Sequence, residues 1–155
     1  MASYVASVDS PWDREAAFEY LADFSTISEW DPNVPSARCL SDDPRAVGAR
    51  FEVDFEFLGP AQKLPYETIE IEAPRFVTFR SETATAVSVD RMTFDLKPGG
   101  GTIVTYDANV TLKSALRLFE LPFRLVFRRF GDGARDGLQR KLTEVQPGGA
   151  RSETP

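Results

Sequence analysis

Residues 102–142 read TIVTYDANVTLKSALRLFELPFRLVFRRFGDGARDGLQRKL, and the spacing of their apolar residues changes near Ser114. Before that point apolar and polar residues alternate, which is typical of a strand with one buried face. After it, apolar residues recur every three or four positions, which predicts one face of a helix of about 30 residues. This stripe comprises Leu116, Phe119, Phe123, Val126, Phe130, Ala134, Leu138 and Leu142.

Two features interrupt the pattern of this predicted helix. Pro122 lies inside the apolar stripe and should kink the helix, because proline removes a backbone hydrogen bond. Gly131, Gly133 and Gly137 each lower the helix propensity by up to about 1 kcal/mol. The glycines leave two alternatives open. Either the segment is weakened or broken, or the missing side chains leave room for a ligand or a close strand.

Strand patterns fill the middle of the chain. The clearest is 50–57, in which Phe51, Val53, Phe55 and Phe57 alternate with charged residues. Further strands are predicted at residues 3–8, 34–40, 64–71, 76–81, 87–96 and 102–112. The run Pro98-Gly99-Gly100-Gly101 predicts a hairpin between the last two.

Residues 9–33 predict two short helices. Ser10 suits the cap of the first helix and Pro11 its first position. Trp30-Asp31-Pro32-Asn33 ends the second helix, since the residue before a proline avoids the helical region. The resulting order favours an α+β fold, a seven-stranded curved antiparallel sheet wrapped around the long C-terminal helix. One domain is predicted at residues 1–146, followed by a disordered polar tail at 147–155.

The composition argues against several classes of function. A net charge of −6 disfavours nucleic acid as a partner and anionic lipid headgroups as a docking surface. The chain has no histidine, which removes the usual general base and the commonest ligand of transition metals. Neither a metal nor a cofactor is therefore expected, and Gly99-Gly100-Gly101 is interpreted as a turn because a strand follows it.

Several features bear on location. No stretch approaches the roughly 20 apolar residues that a membrane helix needs, so no stable membrane insertion is expected. No signal peptide is visible in the first residues. Cys39 is the only cysteine, which excludes an intramolecular disulfide. We expect a cytoplasmic protein, and the sequence carries no signal for its oligomeric state.

Four short stretches resemble the polyketide cyclase/dehydrase-like members of the START-like, or SRPBCC, superfamily. They are residues 8–11 with 17–23, residues 30–34, residues 70–75, and residues 96–102 leading into 104–106. The resemblance spans about residues 3 to 145 and implies the helix-grip fold, with a cavity for hydrophobic ligands between the sheet and the long helix. Relatives include carriers, sensors, cyclases and aromatases, so the resemblance leaves the function open.

Strand parity predicts which side chains face that cavity. Together with Trp30 and the aromatic residues of the helical stripe, these side chains form the candidate ligand-binding set. The set comprises Trp30, Phe51, Val53, Phe55, Phe57, Ile69, Phe79, Met92, Phe94, Tyr106, Ala108, Phe119, Phe123 and Phe130.

The same parity directs three polar side chains, those of Glu67, Asp90 and Tyr106, into this apolar space. The two carboxylates either lie solvated near a sheet edge or the pocket mouth, or bind a ligand hydroxyl or act as acids with a raised pKa. Ser81 and Ser88 are the predicted cross-strand neighbours of Glu67.

Three functions are compatible with these features. The first is binding of a hydrophobic or aromatic small molecule, such as a lipid or a polyketide-like compound. The alternative is a cyclase, aromatase or dehydratase in which Glu67, Asp90 or Tyr106 moves protons. A third is an interaction module whose pocket is vestigial.

Overall fold

A computed structural model describes residues 1–147, and within them seven strands form one antiparallel sheet. The strands are β1 Ala2–Ser10, β2 Ser36–Cys39, β3 Arg50–Phe55, β4 Gln62–Glu72, β5 Phe76–Glu82, β6 Ala86–Leu96 and β7 Thr102–Leu112. Their order across the sheet is β1-β7-β6-β5-β4-β3-β2. The predicted tail at 147–155 falls, apart from Pro147, outside the described residues.

The helices lie before and after this run of strands. Helix α1 spans Arg14–Ala22, and a 3₁₀ segment at Phe24–Thr26 continues into α2 at Ile27–Trp30. A second 3₁₀ segment, Ser114–Phe119, precedes helix α3 at Glu120–Lys141. This architecture confirms the predicted α+β helix-grip fold. In the part of the chain that the structure describes, no helix is long and apolar enough to cross a membrane.

The start of α1 differs from the prediction. β1 continues to Ser10, and α1 begins only at Arg14. The Ser10 hydroxyl accepts a hydrogen bond from the Trp12 backbone N–H and donates one to the Leu142 carbonyl, at 2.7 Å. Ser10 therefore ties the first strand to the end of α3 and does not cap a helix.

Pro122 does not lie in the interior of the long helix, contrary to the prediction. Because α3 begins at Glu120, Pro122 lies in its first turn, where a backbone N–H would have no partner within the helix. The apolar stripe seen in the sequence runs through both the 3₁₀ segment Ser114–Phe119 and α3, which is why it looked like one helix.

The glycines of α3 allow the helix to approach its neighbours closely. The helix is continuous through Gly131, Gly133 and Gly137. A Cβ atom at Gly131 would lie 2.5 Å from the Tyr4 ring of β1, and one at Gly137 would overlap the Trp30 carbonyl oxygen. Of the two alternatives left open by the sequence, a continuous helix beside a close strand is therefore the one observed.

One irregularity in β4 changes which of its side chains face inward. Thr68 pairs with Phe79 of β5, but Glu70 pairs with Thr78, so Ile69 is an extra residue between two registered pairs. Such a β-bulge reverses the alternation on one side of it. Thr68 is buried on the inner face, and Ile69 is 42% exposed.

Substitution of the α3 glycines tests this packing. We expect Gly137→Ala to destabilise the protein by about 2–3 kcal/mol, because the new methyl group has no space beside the Trp30 carbonyl. Gly133→Ala is the matched control. Its Cβ would meet only the Pro32 ring, at 3.6 Å, and should stabilise the helix by up to about 1 kcal/mol. Urea denaturation measures both changes, and equal effects would contradict the close contact.

Candidate functional site

A cavity of about 460 Å³ lies between the concave face of the sheet and α3. Nine predicted site residues line it: Val53, Phe55, Phe57, Asp90, Tyr106, Ala108, Phe119, Phe123 and Phe130. Strands β3, β6 and β7 contribute five of them, Phe57 follows the end of β3, and the segment from Ser114 onward contributes the other three. The structure thus brings residues from both halves of the chain around one cavity.

Five further predicted residues lie in the solid core and not on the cavity wall. They are Trp30, Phe51, Phe79, Met92 and Phe94, all fully buried. The helices between β1 and β2 fill that half of the concave face. The Phe18 ring packs against Phe94 at 5.4 Å between centroids, and the Phe24 ring packs against Phe79 at 4.2 Å. Strand parity identifies inward residues but does not show which of them a helix covers.

The bulge in β4 makes two predictions wrong. Ile69 and Glu67 both lie exposed on the outer face, because the parity of Ile71 does not extend through the extra residue. The inward residue is instead Tyr66, which pairs with Ser81, and Ser81 pairs with Ser88. These serines are therefore neighbours of Tyr66 and not of Glu67.

Asp90, Ser88 and Tyr66 form a polar cluster on the cavity wall. The Ser88 hydroxyl donates to Asp90 Oδ1 at 3.1 Å, and the Tyr66 hydroxyl donates to Ser88 Oγ at 3.4 Å. Asp90 is only 3% exposed. Its burial raises the pKa of the carboxyl from 3.8 to about 7, although hydrogen bonds from Ser88 and Tyr66 act in the opposite direction. This acid can therefore gain or lose a proton near neutral pH.

A second buried acid, Asp31, lines the same cavity and was missed by the sequence analysis. It follows α2, and its Oδ1 accepts hydrogen bonds from the Asn33 backbone N–H at 2.8 Å and from the Asn33 side chain at 3.0 Å. Burial raises the pKa of Asp31 to about 6. The sequence showed this residue only as part of the turn before Pro32, a role that it also has.

The remaining polar groups on the described part of the wall carry no positive charge. The buried Ser81 hydroxyl lines the cavity and has no hydrogen-bond partner in the described part of the chain. Among residues 1–147, no lysine or arginine contributes to the wall. Burial raises the pKa of both Tyr66 and Tyr106 well above the usual value, and the charge of Asp90 is the second largest cause. The described residues of the wall therefore offer acids, hydroxyls and amides but no basic group.

The cavity has a buried end and an open end. Asp31, Asp90 and Ala134 are buried, whereas Gln62, Thr85 and Phe119 on the same wall are exposed. We call this open end, defined by Gln62, Thr85, Leu116 and Phe119, the cavity mouth. Asp90 in the polar cluster thus lies at depth, away from the exposed residues of the wall.

A second concavity, of about 470 Å³, is a groove on the outer surface over β2, β3 and β4. Its charged groups already pair with one another. Arg38 contacts Glu52 at 3.0 Å, and Lys63 contacts Asp54 at 3.2 Å. Within the described residues, no group of three or more His, Cys, Asp or Glu side chains could hold a metal ion. The inner cavity is therefore the candidate site.

Comparisons with known proteins agree with this architecture. The family model described as polyketide cyclase / dehydrase and lipid transport matches residues 1–146. A START superfamily protein from Mycobacterium smegmatis has a TM-score of 0.71 at 13% identity, over 91% of this chain and 95% of that chain. Major latex-like protein 151 from Panax ginseng has a TM-score of 0.68 at 13% identity, over 91% and 97%.

A third similar structure is the di-domain ARO/CYC StfQ from the steffimycin biosynthetic pathway. Its TM-score is 0.71 at 16% identity, and the match covers 97% of this chain and 52% of that chain. Identities this low show a common fold and nothing finer. No functionally curated protein matches the sequence.

The pH dependence of stability tests the burial of Asp90. As pH rises above about 4, the unfolded state loses this proton first, so wild-type stability falls until the folded-state pKa near 7. Asp90→Asn has no such loss. The free energy of unfolding of Asp90→Asn, relative to that of the wild type, should therefore be about 2–3 kcal/mol higher at pH 8 than at pH 5. Urea denaturation at both pH values measures this.

The control removes an exposed carboxylate instead. Glu67→Gln should change the free energy of unfolding by less than about 0.5 kcal/mol at either pH. A difference between Asp90→Asn and the wild type that does not vary with pH would contradict a buried, protonated Asp90.

Proposed function

We propose that this chain, which belongs to the polyketide cyclase / dehydrase and lipid transport family, binds a hydrophobic small molecule whose polar end lies against Asp90. The observation that carries the proposal is a mostly apolar cavity with a polar cluster around the buried Asp90. Pockets for small molecules combine this size, mostly apolar walls and a few placed polar groups.

The polar cluster indicates what the ligand's polar end offers. The unpartnered Ser81 hydroxyl and the Asp90 carboxyl lie on the same wall, on paired strands. When ionised, Asp90 accepts a hydrogen bond, and when protonated it can donate one. A ligand hydroxyl, phenol or amine fits these groups, because each has a proton to donate to Asp90 or Ser81.

The same wall disfavours ligands that carry a negative charge. Asp31 and Asp90 lie on the wall without a basic residue to offset them. An anion buried beside them would lose its hydration and meet like charge in a medium of low dielectric constant. We infer that fatty acids and other carboxylates are poor ligands, and that neutral or cationic aromatic compounds are good ones.

Two fluorescent probes of similar shape and different charge test this selectivity. Neutral N-phenyl-1-naphthylamine should bind with increased fluorescence, whereas the sulfonated probe 1-anilinonaphthalene-8-sulfonate should bind at least about tenfold more weakly. Ala108→Trp fills the cavity and should abolish binding of the neutral probe. Thr111→Trp, on the exposed outer face of the same strand, is the matched control. Equal binding of both probes, or unchanged binding to Ala108→Trp, would contradict the proposal.

One observation favours a second candidate function, a polyketide cyclase, aromatase or dehydratase. Burial brings the pKa of Asp90 to about 7, which suits an acid–base group at neutral pH. In this mechanism Tyr66 replaces Glu67 as a candidate for moving protons. Its hydroxyl is linked to Asp90 by hydrogen bonds through the Ser88 hydroxyl. Catalysis would then combine confinement of a reactive chain with proton transfer by Asp90.

Turnover separates the two candidates. For a carrier, Asp90→Asn should still bind N-phenyl-1-naphthylamine, and neither it nor the wild type should convert a linear poly-β-ketone. Cyclisation by the wild type that falls about a hundredfold or more in Asp90→Asn, with probe binding retained, would establish the enzyme instead. Chromatography of the products measures the outcome.

A further inference from the structure

Exposed apolar side chains are concentrated beside the cavity mouth. Leu118, Leu121 and Leu125 are 85%, 73% and 75% exposed, and Phe119 next to them is 60% exposed. Leu58, also exposed, follows Phe57, whose ring packs against Phe123 of α3 at 5.5 Å between centroids. Apolar groups clustered in this way on a protein surface mark a contact site.

The two halves of α3 differ in their outward faces. In the first half, Phe123 and Phe127 line the cavity, while Leu121 and Leu125 face outward, so the helix is apolar on opposite sides. In the second half the exposed residues are polar: Asp132, Arg135, Asp136 and Arg140. An apolar helix face of this kind is normally covered and not left exposed to solvent.

The charge of this segment is opposite to that of the whole protein. Residues 114–130 contain four arginines and one glutamate, although the chain has a net charge of −6. Glu120 contacts Arg124 at 3.5 Å. Arg117, Arg128 and Arg129 are exposed, and within residues 1–147 none of them is in an ion pair. The net charge of the whole chain disfavours anionic lipid headgroups as a docking surface, but the local charge of residues 114–130 is positive.

We propose that this basic apolar surface, formed by Leu118, Phe119, Leu121, Leu125, Arg128 and Arg129, docks the protein on an anionic lipid bilayer. The leucines enter the boundary between headgroups and acyl chains, and the arginines contact the lipid phosphates. Only side chains insert, so no helix has to span the membrane.

A bilayer fits this surface better than a protein partner does. Leu121, Leu125, Arg128 and Arg129 lie along one side of α3, so apolar and basic groups are presented together, and an anionic bilayer offers a partner for both. A protein partner would need a complementary shape, whereas a bilayer does not. Phe119 belongs both to this surface and to the cavity mouth. If the cavity binds a hydrophobic ligand as proposed above, docking places its opening against the phase in which such a ligand dissolves.

Vesicle co-sedimentation of the full chain tests the docking. We expect binding to vesicles of phosphatidylcholine mixed with phosphatidylserine, little binding to phosphatidylcholine alone, and weaker binding as salt is added. Leu121→Ser/Leu125→Ser should abolish binding. Arg128→Gln/Arg129→Gln should weaken it about thirtyfold, from two lost phosphate contacts.

Matched controls remove the same residue types elsewhere on the surface. Val5→Ser/Leu96→Ser removes two exposed apolar side chains, and Arg75→Gln/Arg80→Gln removes two exposed arginines. Both should bind like the wild type. Absence of binding to the phosphatidylserine vesicles, or equal losses in test and control variants, would overturn the proposal. So would a stable dimer in sedimentation velocity that only Leu121→Ser/Leu125→Ser dissociates.

The docking test is separate from the test of the cavity. None of the four substituted residues Leu121, Leu125, Arg128 and Arg129 lines the cavity. Both variants should therefore bind N-phenyl-1-naphthylamine like the wild type. Loss of vesicle binding with probe binding retained supports docking by this surface, and unchanged vesicle binding in both variants would overturn it.

Discussion

The contact between the C-terminal half of α3 and the chain around Trp30 is the constraint on which the cavity depends. Gly137 lets the helix reach the Trp30 carbonyl, and Ala134, Leu138 and Leu142 are buried beside it. Hydrogen bonds fix the chain just after the helix: Ser10 donates to the Leu142 carbonyl, and the Trp12 indole donates to the Glu144 carbonyl at 2.8 Å. Since a helix is stiff, fixing this end determines where the other half lies. There, Phe123 and Phe127 reach the cavity and the sheet behind it stays uncovered.

The concave face of the sheet is thus divided into a filled half and an open half. Phe18 and Phe24, from the segment between β1 and β2, fill the first half, and their ring contacts with Phe94 and Phe79 make it solid. Asp90 lies on the wall of the open half, where its burial costs stability above the pH at which a free carboxyl ionises. A purely structural core gains nothing from such a group. Its position at the deep end of an apolar space is typical of a residue kept for recognition or proton transfer.

Much of this arrangement could be predicted from the sequence, because strand and helix periodicities are local properties. The alternation at Phe51–Phe57 and the change of period near Ser114 correctly predicted the sheet and the C-terminal helix. The errors arose where a distant contact overrides a local pattern. Ile69 looks like an inward residue, but it is the extra residue of a bulge, and that bulge moved Glu67 outward and Tyr66 inward. Which inward residues line a cavity depends on where α1 packs, which no strand pattern contains.

We infer that one end of the cavity binds the polar group of an apolar ligand. A crystal structure of the protein saturated with N-phenyl-1-naphthylamine would test this inference. We expect the two aromatic groups of the probe to lie between Val53 and the Phe123 and Phe127 rings, with the probe's N–H pointing to Asp90 or Ser81. A probe bound only on the outer surface, or one lying in the cavity with its nitrogen at the mouth beside Gln62, would contradict it.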